Sequence, residues 1–472
     1  MQYKLRMTGR QHAALSAHLF PGDGNEAVAL ALCGRRRGGD SHILTVHKIV
    51  PVPHDECPVR QPDRVTWRTD RIEPLLEEAA QKGMALLKIH SHPGYYPHFS
   101  RVDDAADRDL FPTIYSWLDD DLPHMSAIML PTESGSAGGE IIARVVTRQG
   151  NFIPVNLVAV AGDSLRLWHS VDTQPDRASH PKEFEAKSRQ FFGEETFNRL
   201  KRLSIGIVGI SGTGSPLVEQ LARLGVGRLV LVDPDVVKEK NLNRILNTTH
   251  ADATAQRLKV EVVADAIRAM GLGTDVVALP QTLVDGEVMR VLAECDVLFG
   301  CMDSAEGRYY LNRLATFYNI PYFDLGVRLD ADGLGGVSYV CGSVHSLQPD
   351  GSSLIGRGMV SMDAVQAEGL ARRSPEEYER QRHDGYIRNV HVERPAVITI
   401  NMQIAAMAAN EFLARLHPYR RVDNADCAIR TFDFRENDHV CEPEGDPCPI
   451  LAKLAGRGDA RLFLDDPSPE IQ

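Results

Sequence analysis

The stretch LSIGIVGISGTGSPLVEQLARLGVGRLVLVDPD, residues 203–235, constrains the fold more than any other part of the chain. An apolar strand runs into a glycine-rich turn, the turn opens an amphipathic helix, and a second apolar strand follows. This is a βαβ unit. Strands joined in this way lie parallel, because the crossover helix packs back onto the sheet. The alternation continues through DVLFGCMD (296–303), RYYLNRLATFYNI (308–320) and PYFDLGV (321–327). That region therefore reads as a doubly wound parallel sheet of the α/β class. A charged helical stretch, SPEEYERQRHDG (374–385), and an apolar helix, ITINMQIAAMAANEFLARL (398–416), come after it.

In the turn, Gly209, Gly212 and Gly214 let the backbone approach phosphates and let the helix pack on the sheet. Asp233 ends the next strand, where a carboxylate can accept from ribose hydroxyls. Taken alone, this set indicates a nucleotide or dinucleotide, with an NAD(P)-dependent enzyme as the default reading. Further residues point elsewhere: Asn241, Arg244 and Lys259 follow the nucleotide strand, and Asp303 closes a later one, with Arg308 and Asn312 on the next helix. Two cations and a Mg²⁺-compatible carboxylate around a glycine turn suit triphosphate chemistry better than hydride transfer.

At 472 residues the chain exceeds one core, and two to three domains are expected. A net charge of -12 disfavours nucleic acid or an anionic membrane as partner. No apolar run approaches the roughly 20 residues that span a bilayer, and MQYKLRMTGRQHAALSAHLF is too polar for a secretory signal. Eight cysteines without a framework pattern fit free thiols in a reducing, cytoplasmic setting. Residues 1 to about 160 read as mixed α/β. EAVALALCG (26–34), HILTVHKIVPV (42–52), ALLKIHSH, AIML and EIIARVV read as strands. DRIEPLLEEAAQKG (70–83) and VDDAADRDLFPTIYSWL read as helices.

The strand ALLKIHSH runs into HSHPGYYPHFSRVD, residues 90–103. Residues i and i+2 of a strand share a face, so His90 and His92 can point together and suit Zn²⁺. Asp103 could add a third ligand, and Glu26 an ionisable group at the mouth of the core. A bare HxH at a strand end is more often structural or at the surface than metal-binding.

The full spacing, H-x-H-x7-S-x2-D with an upstream strand glutamate, resembles the JAB/JAMM metallopeptidases. The resemblance implies zinc held by His90, His92 and Asp103, Glu26 as general base, and Ser100 stabilising the oxyanion. His98 falls outside the pattern and reads as a loop or substrate-side residue. From about residue 185 to 416 the chain resembles the ThiF/MoeB and ubiquitin-activating superfamily. That resemblance implies ATP and Mg²⁺, with Gly209, Gly212 and Gly214 at the phosphates and Asp233 on the ribose. Arg244 and Lys259 would bind phosphates, Asp303 would position Mg²⁺, and Asn241 would bind ATP or assist transfer. It also implies that Arg189, in the leading helix KSRQFFGEE, reaches a partner's nucleotide in a homodimer.

The chain departs from the family in three ways. Ser211 replaces a glycine of the turn, and DGSSLIGRG (350–358) and CPIL (448–451) stand where zinc-binding CxxC pairs are expected. No cysteine lies between Cys341 and Cys427, where related enzymes carry a thioester cysteine.

The expected organisation is a JAB/JAMM-like zinc metallopeptidase over 1–160, a linker over 161–184, a ThiF-type adenylation domain over 185–420 and a C-terminal extension over 421–472. The expected function is bifunctional within a bacterial ubiquitin-like pathway. The chain would adenylate the C-terminus of a β-grasp protein and process or deconjugate the same protein, with a conjugating enzyme as a further partner. Activation of a sulfur carrier and a noncatalytic assembly module are the alternatives.

Overall fold

A computed structural model of the chain describes residues 1–132, 138–170, 183–331, 336–383 and 396–459. Most of the polar stretch DTQPDRASHPKEF, the end of SPEEYERQRHDG and residues 460–472 lie outside the described residues. Two compact units form. One holds the described residues of Met1–His180 with Thr316–Asn319 and Leu454–Gln472, and the other those of Pro181–Ala315 and Ile320–Lys453.

The first unit runs β1 (Gln2–Thr8), α1 (Gly9–Leu19), β2 (Val28–Arg37), β3 (Ser41–Pro51), β4 (Val59–Gln61), β5 (Arg64–Thr66), α2 (Glu73–Lys82), β6 (Ala85–Ser91), α3 (Arg101–Leu118), β7 (His124–Pro131), β8 (Gly138–Val146), β9 (Phe152–Pro154), β10 (Leu157–Ala161) and β11 (Leu165–His169). Nine strands form one sheet in the order β11-β10-β1-β3-β2-β6-β7-β8-β9. β11 falls within the stretch read from sequence as a linker. It pairs antiparallel with β10, and its five residues follow a polar turn that masks their alternation.

β6 lies inside the sheet, antiparallel to β2 and parallel to β7, and every residue of it is buried. Its faces divide by the two-residue period of a strand. Ala85, Leu87 and Ile89 join the core with Leu5, Met7 and Leu15, while Leu86 packs with Phe111 and Ile114 of α3. Lys88 follows on the second face and meets Asp107 of α3 at 2.6 Å. His90 comes next and meets Asp103 at 3.0 Å. Two strand residues rise about 6.6 Å and four helix residues about 6 Å, so the two ladders keep step.

Asp107 is fully buried and also takes Arg144 Nη2 at 2.7 Å, and the Arg144 guanidinium lies over the rings of Phe99 and Phe152. Residues 454–459, expected as part of a C-terminal extension, pack within this unit. Gly456 O accepts from Gly34 N at 3.1 Å and from Thr45 Oγ1 at 2.9 Å. Gly456 has φ +73°, and a Cβ there would fall 1.9 Å from Val46 O, so only glycine fits.

The second unit runs α4 (Ala186–Leu200), β12 (Ser204–Val208), α5 (Gly214–Arg223), β13 (Arg228–Val232), α6 (His250–Thr254), α7 (Lys259–Met270), β14 (Asp275–Leu279), α8 (Gly286–Leu292), β15 (Val297–Gly300), α9 (Ala305–Phe317), β16 (Tyr322–Ala331), β17 (Val337–Leu347), α10 (Met362–Arg373), α11 (Pro375–His383), α12 (Ile398–Leu416), β18 (Ile429–Asp433) and β19 (Asp438–Glu442). The sheet order is β14-β13-β12-β15-β16-β17-β18-β19. Pairing is parallel through β16, as the βαβ reading requires, and antiparallel from β17 onward.

β18 and β19 thus extend the sheet from within residues 421–472. The segments that stand where the family carries CxxC pairs are joined by hydrogen bonds. Glu444 Oε1 accepts from Ser352 Oγ at 2.6 Å and from Ser352 N at 2.7 Å, Arg357 Nε donates to Ser352 Oγ at 2.8 Å, and Cys448 N donates to Gly351 O at 2.9 Å.

All three tryptophans (Trp67, Trp117 and Trp168) belong to the first unit, so their fluorescence reports its unfolding. Asp107→Ala strips two buried cations of their carboxylate and should destabilise that unit by about 3–5 kcal/mol in urea titrations. A shift below about 1 kcal/mol, the range of exposed pairs, would refute the structural role assigned to Asp107.

Candidate active sites

The first site forms where β2 begins and β6 ends. Ser91 N donates to Ala27 O at 3.0 Å, and Ala27 N to Ser91 Oγ at 2.9 Å, which brings Glu26 beside the histidines. His90 and His92 place their Nε2 atoms 3.1 Å apart. Asp103 reaches both, 3.0 Å from His90 Nε2 and 3.4 Å from His92 Nε2. Glu26 Oε1 lies 3.9 Å from His92 Nε2, and ligand atoms of Glu26, His90 and His92 all fall within 4.8 Å of one another.

His92 Nδ1 lies 2.8 Å from the Tyr96 carbonyl. A carbonyl only accepts, so Nδ1 carries the proton and the neutral ring keeps its lone pair on Nε2. All four residues are buried. Burial pushes the Glu26 carboxyl up to about 7, with Asp103 adding to the rise and His92 opposing it. Burial also opposes ionisation of Asp103, yet hydrogen bonds from His90 and His92 outweigh it and hold that carboxyl well below the usual range. Burial lowers His90. It also pulls His92 down, but Asp103 and the Tyr96 carbonyl raise it. Two imidazole nitrogens and a carboxylate converging on one buried point fit Zn²⁺ as a donor set.

Ser100 is half-buried and has a second duty. Its Oγ accepts from Asp103 N at 3.2 Å, and Ser100 N donates to Asp103 Oδ2 at 2.6 Å, the reciprocal cap that starts α3. Hence S-x2-D is also a helix start, and the cap fixes where the Asp103 carboxylate points. His98 is exposed on the loop, its ring against Tyr96.

The second site lies at the carboxyl ends of β12, β13 and β15. Gly209 has φ +93°, and a Cβ on Gly214 would fall 1.9 Å from Gly209 O, so this turn closes only with glycine at both places. Ser211 is absent from the non-glycine residues with positive φ, so its departure from glycine is tolerated. The Asp233 carboxylate accepts from Ile210 N at 2.7 Å and from Asp235 N at 3.0 Å, tying β13 to the turn. Lys259 Nζ stands 3.5 Å from Asp233 and 2.7 Å from Asp235. Burial raises the Asp233 carboxyl, and Lys259 opposes that rise.

The Arg244 stem passes Gly212, with Cδ 3.3 Å from where a Cβ would lie there, while its guanidinium donates to Lys240 O at 2.8 Å. Asp303 is exposed in the loop after β15, two residues beyond the Cys301 carbonyl that abuts Gly209. Asn241 is buried, and its Oδ1 accepts from Lys238 N at 3.0 Å. Arg189 is held in ion pairs with Glu185, at 3.0 Å, and Glu194, and is not brought to the turn in the chain as it stands.

Two features escaped the sequence reading. Arg308 pairs with the fully buried Asp324 at 3.4 Å, and Tyr322 OH donates to the same carboxylate at 2.6 Å. Asn401 of α12 packs its carboxamide over Gly212. The first was legible only as an Arg on a helix, and the second lies 189 residues from Gly212 in sequence with no spacing to mark it.

Residues 185–444 match the ThiF family, and residues 9–146 match the prokaryotic homologs of the JAB domain. The SAMP-activating enzyme E1 of Haloferax volcanii is 38% identical over 131 residues, 27% of this chain and 47% of that protein. The molybdopterin-synthase adenylyltransferase of Escherichia coli (strain K12) is 36% identical over 131 residues, 28% of this chain and 51% of that one. The adenylyltransferase and sulfurtransferase MOCS3 of Mus musculus is 37% identical over 123 residues, 26% of each chain. The chain thus spans a quarter to a half of the length of these curated relatives. A crystal structure of E. coli MccB superposes with a TM-score of 0.43 at 14% identity, covering 58% of this chain and 74% of that one. With the match over 185–444 taking in more than half of its residues, the chain belongs to the ThiF family and carries a JAB domain ahead of the ThiF domain.

Proposed function

We propose that the chain adenylates the C-terminus of a ubiquitin-like β-grasp protein with ATP and Mg²⁺, and hydrolyses peptide or isopeptide bonds at that same terminus. The observation that carries this reading is the pairing on one chain of a tied glycine turn beside Asp233 and Lys259 with a buried His90, His92 and Asp103 cluster.

In adenylation, a carboxylate oxygen of the partner attacks the α-phosphorus of ATP, the bond to the bridging oxygen breaks, and pyrophosphate leaves. Gly209, Gly212 and Gly214 admit the phosphates to the helix end, and Asp233 is set to hold the ribose. Arg244 and Lys259 offset the charge that builds on the leaving group, and Asp303 offers a carboxylate to Mg²⁺. Asn241, whose Oδ1 accepts from Lys238 N, would bind ATP or assist transfer. To reach a partner's nucleotide in a homodimer, Arg189 would exchange Glu185 and Glu194 for phosphate.

In hydrolysis, His90, His92 and Asp103 would hold zinc, which when bound supplies Lewis-acid activation of water. Glu26, buried and raised to about 7, is suited to take a proton from water and give it to the leaving amine. The Ser100 hydroxyl, whose oxygen already accepts from Asp103 N, keeps its own proton to donate to the carbonyl oxygen.

The setting we propose is bacterial and cytoplasmic, with a conjugating enzyme downstream. Among the described residues no helix is long and apolar enough to cross a membrane. A second reading, activation of a sulfur carrier, is favoured by the resemblance to a molybdopterin-synthase adenylyltransferase.

Exchange of labelled pyrophosphate into ATP, driven by a β-grasp partner, tests the adenylation reading. Asp303→Ala should slow it about 10²–10³-fold, and no exchange by the wild type with any such partner would sink the reading. Metal analysis tests the other site independently: the wild type should bind one zinc per chain, and His90→Ala should weaken zinc by more than about a hundredfold. Equal zinc content in both proteins would contradict the ligand assignment.

A further inference from the structure

The glycine turn has more donors than its own chain uses. Ile210 N is engaged by Asp233, but the N–H groups of Gly212 and Thr213 donate to nothing among the described residues, and no side chain caps α5. These are the groups that an oxyanion at a helix start would engage.

Above them stands a side chain from a distant part of the chain. Asn401, in the first turn of α12, is only 4% exposed, yet its carboxamide makes no hydrogen bond among the described residues. Its amide atoms are not among the fully enclosed polar atoms left without a partner, so the amide meets solvent at the turn rather than being sealed in the core. The amide is aimed at the turn. A Cβ added to Gly212 would lie 2.3 Å from Asn401 Nδ2 and 3.1 Å from its Cγ, and 3.3 Å from Arg244 Cδ on the other side. Nδ2 and the Arg244 stem therefore flank one point directly over the Gly212 backbone.

We propose that Asn401 is a phosphate-binding residue whose Nδ2 donates to an ATP phosphate oxygen seated on the Gly212–Thr213 amides. This rests on the adenylation reading and adds to it a ligand contact from α12. A carboxamide offers two donors and no charge. Asn401 thus fixes the position of the phosphate, while Arg244 and Lys259 supply the charge. It also gives Gly212 a second reason to lack a side chain, since any Cβ there would displace the amide.

The test measures binding of Mg·ATP, and of adenosine as competitor, to the full chain and to Asn401→Ala, Asn401→Leu and Asn401→Asp. Loss of one donor to a charged oxygen should weaken ATP about tenfold in N401A and N401L. N401D, which sets a carboxylate against the phosphate, should weaken it by about a further tenfold. Adenosine affinity should stay as in the wild type, which also shows that each variant is folded. ATP binding unchanged in the variants, or ATP and adenosine weakened equally, would overturn the role of Asn401 and leave the adenylation reading standing. Failure of the wild type to bind ATP would overturn both.

Discussion

A carboxylate taken out of water has to be matched by cations or N–H groups, and both units are arranged around that requirement. In the first, α3 can lie on β6 in only one register, because Asp107 must meet Lys88 and Arg144 while Asp103 meets His90 and His92. The lower pair is structural and the upper pair is the site. A slip of one strand residue would turn Lys88 and His90 to the opposite face of the sheet and leave both carboxylates unpaired. The Ser100 cap adds a third restraint at the helix start. The geometry of the His90, His92 and Asp103 cluster is thus a consequence of satisfying charge next to it.

The second unit repeats the device with different partners. Asp233 draws the Ile210 amide and Lys259 together, and so sets the entrance to the glycine turn. On the interior strand β16, Asp324 is answered by Arg308 and Tyr322, and on α12 Glu411 is answered by Arg415, Arg420 and Arg430. Near the segments where the family carries CxxC pairs and this chain does not, Glu444 is matched by Ser352 and Arg357. There a hydrogen-bonded ion pair holds two separate segments together, which is the mechanical task that four thiolates around zinc would otherwise perform.

How much of this could be read from the sequence follows from how local each feature is. The βαβ unit, its turn and the HxH strand end are contiguous, so their periodicity and spacing carried them. The strand β11 was missed because a five-residue strand after a polar turn carries little periodic signal. β18 and β19 were missed because the half-buried residues of one and the exposed, charged residues of the other look like a tail until β18 pairs with β17 and β19 with β18. The dual role of Ser100 was hidden because one spacing serves both a capping box and a ligand pattern. Asn401 and the Arg308–Asp324 pair are tertiary facts: helix periodicity places an Asn or Arg on a face but does not say what that face meets.

The chemistry of the thiols bears on where an adenylated carboxyl would go next. A cysteine acceptor needs access and a thiolate near neutral pH. Cys301, at the turn, is pushed by burial up to about 12. Cys427 is raised to about 11, first by burial and then by its hydrogen bond with Cys441. Cys448 is buried, with its sulfur accepting from Leu451 N at 3.4 Å. The raised thiols of Cys301 and Cys427 and the burial of Cys448 count against these three as acceptors. Cys441 is exposed on the edge strand β19, and Cys341 is half-buried on β17, leaving them as the thiols of this unit open to a bulky acyl partner. Under the proposed adenylation, the acyl group passes either to one of these two or directly to an external nucleophile.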